Sequence, residues 1–212
     1  VFAFLLAFLF AARRDLGGRH ALVFLASLWP VAWVAELSST RVGIPFGLYH
    51  YTGITRGQEL YLADVPFFDS LSFSFLAYAA FCLTRQTLPW CRESPTRLAM
   101  ASGVLMMLLD VVIDPLAVRG DRWFLGRIFY YPEGGAYFGV PLSSCAGWVI
   151  VGAIGVRLYL WAARRWLVEA SRGGRPQAGV GLYYGVLGFN LLLTAWIGES
   201  TLLLVGVCLH AL

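Results

Sequence analysis

Apolar residues gather into seven runs, at about 1–12, 21–37, 66–83, 98–118, 141–163, 179–197 and 200–212, with most of the charge in the segments between them. Within a run the apolar positions are continuous, which predicts helices lying in an apolar medium. The strands of a membrane barrel would read as alternating segments of about ten residues, and no such pattern occurs. A helix needs about 20 residues to cross a bilayer. Several runs are shorter, so the pattern predicts seven helices, or six and a fragment. Residues 1–12 open without an initiator Met or a cleavage-site pattern and are expected to be the end of a transmembrane helix, not a signal peptide. The fold class is therefore all-α: a polytopic membrane helix bundle of about seven helices, forming one domain over residues 1–212.

Composition supports this reading. The chain is 59% hydrophobic and 13% charged, with a mean hydropathy of +0.70, where a soluble domain carries about 25% charged residues. All 16 basic residues are arginines, and in a membrane protein they record topology more than affinity for nucleic acid, so no nucleic-acid partner is expected. The linkers 13–20, 84–97 and 164–175 hold ten of them, with three acids: Asp15, Glu93 and Glu169. These are alternate linkers, so they share one side, which the positive-inside rule makes the cytoplasm. The other nine acids fall at or near the opposite side. Glu36 then ends the second helix, Asp69 begins the third, and Asp110 and Asp114 lie in the far half of the fourth.

Two long loops on the acid-rich side break the apolar pattern. In Thr40-Arg41-Val42-Gly43-Ile44-Pro45-Phe46-Gly47 the proline and glycines are expected to prevent helix continuation. Leu48 to Thr52 reads as extended, with Tyr49 and Tyr51 on one side and His50 on the other. Irregular backbone this apolar predicts a re-entrant-like loop near 40–53, folded back onto the bundle where it lines a cavity. The second loop, Trp123 to Pro141, carries Tyr130, Tyr131, Tyr137 and Phe138 around Pro132-Glu133-Gly134-Gly135. Aromatic belts at membrane interfaces are an equally good explanation of these rings.

The candidate chemistry lies in the fourth apolar run. Asp110 and Asp114 are four residues apart, so they share a helix face, and intramembrane carboxylates are rare and usually functional. Burial disfavours a charged carboxylate and two close carboxyls resist joint ionisation, so such a pair is suited to hold a proton and donate it. The bland alternative is that both pair with Arg119, Arg122 or another helix and only fix the bundle. Asp69 at a helix start is also explained by the helix dipole.

Weaker candidates are set aside. His20 is expected to be solvated in its basic linker, His210 has no partner in view, and His50 is the one histidine near the acids. No metal-ligand spacing, nucleophile elbow or phosphate-binding glycine loop occurs. Asn190 and Thr194 are expected to bond between helices, and Gly181-x-x-x-Gly185 to form a close-packing face. The cysteines (Cys82, Cys91, Cys145, Cys208) and Met106-Met107 read as core filler, with no disulfide framework.

Several separated blocks stand in order: Glu36 with Gly43, Phe46-Gly47-x-Tyr49-x-Tyr51-Thr52-Gly53, Val65-Pro66, Asp110-x-x-x-Asp114-Pro115 with Trp123, and Tyr137-Phe138-Gly139-Val140-Pro141-Leu142-Ser143 with Gly147-Trp148. Together they resemble a membrane family of carotenoid-biosynthesis hydratases. The chain departs from that pattern at Ser144 and Cys145, at Asp69, and in the insertion Pro132-Glu133-Gly134-Gly135. The resemblance implies hydration of the terminal 1,2 double bond of an acyclic carotenoid end. It further implies Asp110 or Asp114 as proton donor and Glu36 as partner acid or water activator. Tyr49, Tyr51 and Trp123 would face the cation, and Phe46, Asp69, Tyr137 and Trp148 would complete the substrate site. The implied partners are a carotenoid within the bilayer of a prokaryotic cell (inner) membrane and its lipids; no cofactor and no metal are implied, and no oligomeric state.

Three alternatives stay open. A carotenoid cyclase would use the same protonation and quench the cation with a neighbouring double bond. A carotenoid- or lipid-binding membrane protein would use the acids only as scaffold. A proton-coupled transporter fits less well, because the acids gather at one end while transporters place sites near the midplane.

Overall fold

The structure is a computed structural model, and residues 1–124, 126–166 and 176–211 are described. Arg172, Arg175 and Glu169, part of the third basic linker, lie outside them. Seven helices follow in order among the described residues: α1 (Phe2–Asp15), α2 (Gly18–Val42), α3 (Phe67–Thr87), α4 (Pro95–Ala117), α5 (Leu142–Trp166), α6 (Gln177–Trp196) and α7 (Ser200–His210). Five of these, α2 to α6, are long and apolar enough to cross a membrane. The chain is a polytopic membrane helix bundle.

The helix ends have local causes. Ser94 caps α4 by accepting the Arg97 N–H at 3.4 Å, and Pro95 follows at the first helical position, where its missing N–H costs nothing. At the other end of α2, Gly43 adopts φ 75° and its N–H donates to the Ser39 carbonyl. That left-handed residue, not Thr40, is where the helix stops. The expectation of a break at Thr40 was early, because the Thr40 hydroxyl bonds back to the Leu37 carbonyl within a continuing turn. Glu36 is therefore inside α2, not at its end.

α3 is the most enclosed helix of the bundle, packing against α1, α2, α4, α5 and α6. The α4–α5 contact is close because glycines face it. A Cβ on Gly103 would lie 2.4 Å from the Val149 carbonyl oxygen, and one on Gly152 would lie 3.0 Å from Gly103 Cα. On α6 the close approach is at Gly179, whose Cβ would meet Cys82 Sγ at 2.4 Å. Gly181 and Gly185 face open space, so the close-packing face expected there is displaced to Gly179. Asn190 and Thr194 also differ from expectation. Their side chains bond within α6, Asn190 Nδ2 to the Val186 carbonyl and Thr194 Oγ1 to the Asn190 carbonyl.

The arginine-rich end is tied together by polar contacts. Asp15 accepts the Tyr78 hydroxyl at 3.0 Å and the Gly179 N–H at 2.9 Å, joining α1, α3 and α6. His20 is buried, with Nδ1 2.9 Å from the Tyr159 hydroxyl, so it packs between α2 and α5 and is not solvated. Of the four cysteines, Cys82 and Cys91 are buried, while Cys208 is exposed.

At the opposite end the long loops fold back. Four short strands, β1 (His50–Tyr51), β2 (Tyr61–Leu62), β3 (Val65–Pro66) and β4 (Phe129–Tyr130), form two antiparallel ribbons, β1 with β4 and β2 with β3. The first ribbon ties the two loops to each other across the mouth of the bundle.

Candidate active site

The first loop returns to the bundle at once. The Phe46 N–H donates to Ser39 Oγ at 3.0 Å, and the Phe46 ring is buried beside Trp148 and Phe73. Gly47, at φ 94°, passes so close to α5 that a Cβ would lie 3.1 Å from Pro141 Cγ and Ser143 Oγ. The chain then enters β1, and strand alternation sends Tyr49 and Tyr51 inward and the exposed His50 outward, as expected. The register pairs Tyr51 with Phe129 and His50 with Tyr130. Phe129 and Tyr131 therefore face the same interior, with ring centroids 5.5 and 5.7 Å from Tyr49.

These rings roof a cavity of about 220 Å³ at the acid-rich end. Its walls include Glu36 from α2, Asp69 and Phe73 from α3, Asp114 from α4 and Trp148 from α5, with Phe189 and Asn190 from α6. Phe46, Tyr49, Tyr51, Trp123, Phe129 and Tyr131 complete it. Trp148 stacks on Phe73 at 4.2 Å with 6° between the planes, making a flat apolar wall. Phe189 and Phe124 reach from this cavity to the exposed surface of the bundle.

The carboxyl groups form two arrays. In one, the Tyr51 hydroxyl lies 2.9 Å from Glu36 Oε1 and 2.8 Å from Asp69 Oδ2, with the Tyr49 hydroxyl 3.4 Å behind it. In the other, Asp114 Oδ2 accepts from Ser144 at 2.9 Å and from the Tyr131 hydroxyl at 3.4 Å, with the Trp148 indole and the Asp110 carboxyl also facing it. Glu36 and Asp110 are each 2% exposed, and Glu36 Oε2 and Asp110 Oδ1 are buried without a hydrogen-bond partner. Burial and the neighbouring carboxyls push the Tyr51 phenol well above its ordinary range, and burial does the same for Tyr49 and Tyr131. All three hydroxyls thus keep their hydrogens at neutral pH.

No arginine among the described residues forms an ion pair with Glu36, Asp69, Asp110 or Asp114. Among the described residues the ion pairs are Arg41–Asp64, Arg119–Glu199, Arg122–Glu199 and Arg127–Asp121. Arg119 and Arg122, expected as scaffold partners for Asp110 and Asp114, both meet Glu199 instead, and Arg119 also donates to the Pro115 and Phe138 carbonyls. The described residues contain no group of three or more His, Cys, Asp or Glu placed to hold a metal ion.

Of the ten residues singled out from the sequence, eight face the cavity: Glu36, Phe46, Tyr49, Tyr51, Asp69, Asp114, Trp123 and Trp148. Two do not. Asp110 sits behind Asp114, one turn deeper in α4. Tyr137 bonds to the Val111 carbonyl at 3.1 Å outside the cavity, its phenol pushed up to about 12 by burial. Other wall residues carried no site role in the sequence, among them Phe73, Phe129, Tyr131, Phe189 and Asn190, and Ser144 joins them through Asp114. Tyr131 had a signal for a place at the cavity, its position in an aromatic loop.

No solved structure matches the chain. The bisanhydrobacterioruberin hydratase of Haloarcula japonica is 30% identical over 191 residues, which cover 89% of this chain and 62% of that protein. The chain thus spans less than two thirds of the length of this relative. A family model described as carotenoid biosynthesis protein matches residues 1–212. With its whole length matched in this way, the chain belongs to the carotenoid biosynthesis protein family.

Proposed function

We propose that the protein adds water across the terminal double bond of an acyclic carotenoid end, by acid catalysis in the cavity beneath the two loops. The observation that carries this reading is the trio Glu36, Asp69 and Asp114, facing an aromatic cavity and in no ion pair with an arginine among the described residues. A trisubstituted alkene is inert until protonated by a strong, well-placed acid. A carboxylic acid in a water-poor site is such a donor. Protonation of the less substituted carbon leaves a tertiary cation on its neighbour. The faces of Tyr49, Trp148 and Phe73 and a nearby carboxylate would stabilise that charge. Water then attacks the cation and loses its second proton to a carboxylate, giving a tertiary alcohol. The sum is alkene plus water, with no net oxidation, so the chemistry requires no redox cofactor.

The size of the cavity fits this role. A cavity of about 150 Å³ holds a benzene-sized guest, so 220 Å³ takes the branched end of an isoprenoid and not a whole polyene. The remainder of the substrate would lie along the helices in lipid, leaving past Phe189. A prokaryotic cell membrane supplies both the orientation and the solvent for such a molecule.

Expression in a lycopene-producing bacterium tests the proposal. The expected product is heavier than the substrate by one water. A product of unchanged mass identifies a cyclase instead, and no product at all leaves a binding protein whose acids are scaffold.

A further inference from the structure

The two carboxyl arrays are built in opposite senses. Tyr51 has one hydroxyl hydrogen but lies within 2.9 Å of both Glu36 and Asp69. Both contacts are hydrogen bonds at once only when one of those carboxyls carries a proton of its own and donates it. The Glu36–Tyr51–Asp69 row therefore stores a transferable proton. Glu36 is the member of that row whose second oxygen, Oε2, is buried without a hydrogen-bond partner, and the residue lines the cavity. Asp114 is surrounded in the opposite sense. Ser144 and Tyr131 both direct hydroxyls at its Oδ2, and donors converging on one oxygen suit an acceptor.

Resting on the hydratase reading above, we propose that the two arrays divide the reaction between them. Glu36, recharged from Asp69 through Tyr51, delivers the proton to the alkene, and Asp114, held by Ser144 and Tyr131, takes the proton from the attacking water. In the first step the π pair forms the new C–H bond with the Glu36 proton, leaving a tertiary cation and a glutamate. Tyr51 then passes its hydrogen to Glu36 and takes the one on Asp69. In the second step a water lone pair forms the C–O bond, and the released proton goes to Asp114. Asp69 and Asp114 line the same cavity, so water in it returns the proton from Asp114 to the acid row and the cycle closes. Tyr51 is a relay in this scheme rather than only a wall of the cavity.

Deuterium separates the two half-reactions. Membranes holding the full chain are incubated with lycopene in heavy water, and both the alcohol and the recovered alkene are examined by mass spectrometry. The wild type is expected to yield alcohol with one deuterium on carbon. Asp114→Asn is expected to lose alcohol by about 100-fold or more, while recovered alkene gains deuterium, because the cation reverts by returning a proton to Glu36. Ser144→Ala, a milder change to the same array, is expected to show a smaller version of that pattern. Glu36→Gln is expected to lose alcohol and deuterium uptake together, and Tyr51→Phe to slow both. Tyr130→Phe, on the exposed face of β4, serves as the unaltered control. Deuterium uptake that survives in Glu36→Gln, or that vanishes in Ser144→Ala, overturns the division. A wild type that makes no alcohol overturns the hydratase reading itself, which is a separate outcome.

Discussion

At the scale of single residues, the cost of this site is a set of carboxyl groups in an apolar interior with few donors and, among the described residues, no arginine paired to them. Asp110 is the clearest case: Oδ1 is buried and unpartnered, and the Asp114 carboxyl beside it is a like group. An unsatisfied buried polar atom costs about 1–3 kcal/mol, and residues kept at such a cost are often exchanged for stability when function is removed. Asp110→Asn, nearly the same shape, is expected to leave thermal stability in detergent unchanged or raised by about 1 kcal/mol. Product formation should fall by about tenfold or more, because Asp114 loses its proton-sharing neighbour. Lower stability with full activity would make Asp110 part of the scaffold. The pair was legible in the sequence because a charged group is rare in such an apolar run. The partners of Asp114 were not, since Ser144 and Tyr131 reach it from 30 and 17 positions away, and nothing local marks a residue that meets another only after the bundle closes.

At the scale of elements, the helices are rigid and the first loop carries the tyrosines. Gly47 joins the two: its φ of 94° strains any side chain, and a Cβ would crowd Pro141 and Ser143 at 3.1 Å. Gly47→Ala places a Cβ in the left-handed region at about 1–2 kcal/mol and pushes the loop off α5. The expected result is a large loss of product with a small change in unfolding temperature. Gly103→Ala, buried between α4 and α5, should behave oppositely. Its Cβ would strike the Val149 carbonyl at 2.4 Å, and overpacking of this kind costs about 1–3 kcal/mol, visible as a lower unfolding temperature. Element positions followed from the sequence because apolar runs end at Pro, Gly and Arg. The end of α2 did not, because Thr40 and Arg41 continue the last turns through the Thr40 hydroxyl. Hydrogen bonds from Asn190 and Thr194 stayed within α6 for a similar reason: the nearest carbonyl was one turn back in their own helix.

For the whole molecule, the arrangement is polarised. Arginines and the Asp15 knot mark one end, while the carboxyls, the loops and the cavity mark the other. Sidedness can be read by labelling single cysteines in a background where all four native cysteines, the half-buried Cys145 and the exposed Cys208 included, are replaced. Thr55→Cys, in the loop above the cavity, should react with a membrane-impermeant maleimide in intact cells. Glu93→Cys, between α3 and α4, should react only after lysis. The reverse pattern would invert the bundle and put the site at the cytoplasmic face. This polarity was legible from the distribution of sixteen arginines alone, whereas the depth of the cavity required the two loops to be paired through β1 and β4.

The central claim is that water is the nucleophile trapped by a cation formed in this cavity. Membranes containing the full chain, given an acyclic carotenoid in water enriched in heavy oxygen, decide it by the mass of the product. The account predicts a tertiary alcohol whose oxygen carries the label in proportion to the enrichment of the solvent. An unlabelled alcohol, or an isomer containing no added oxygen, would contradict it.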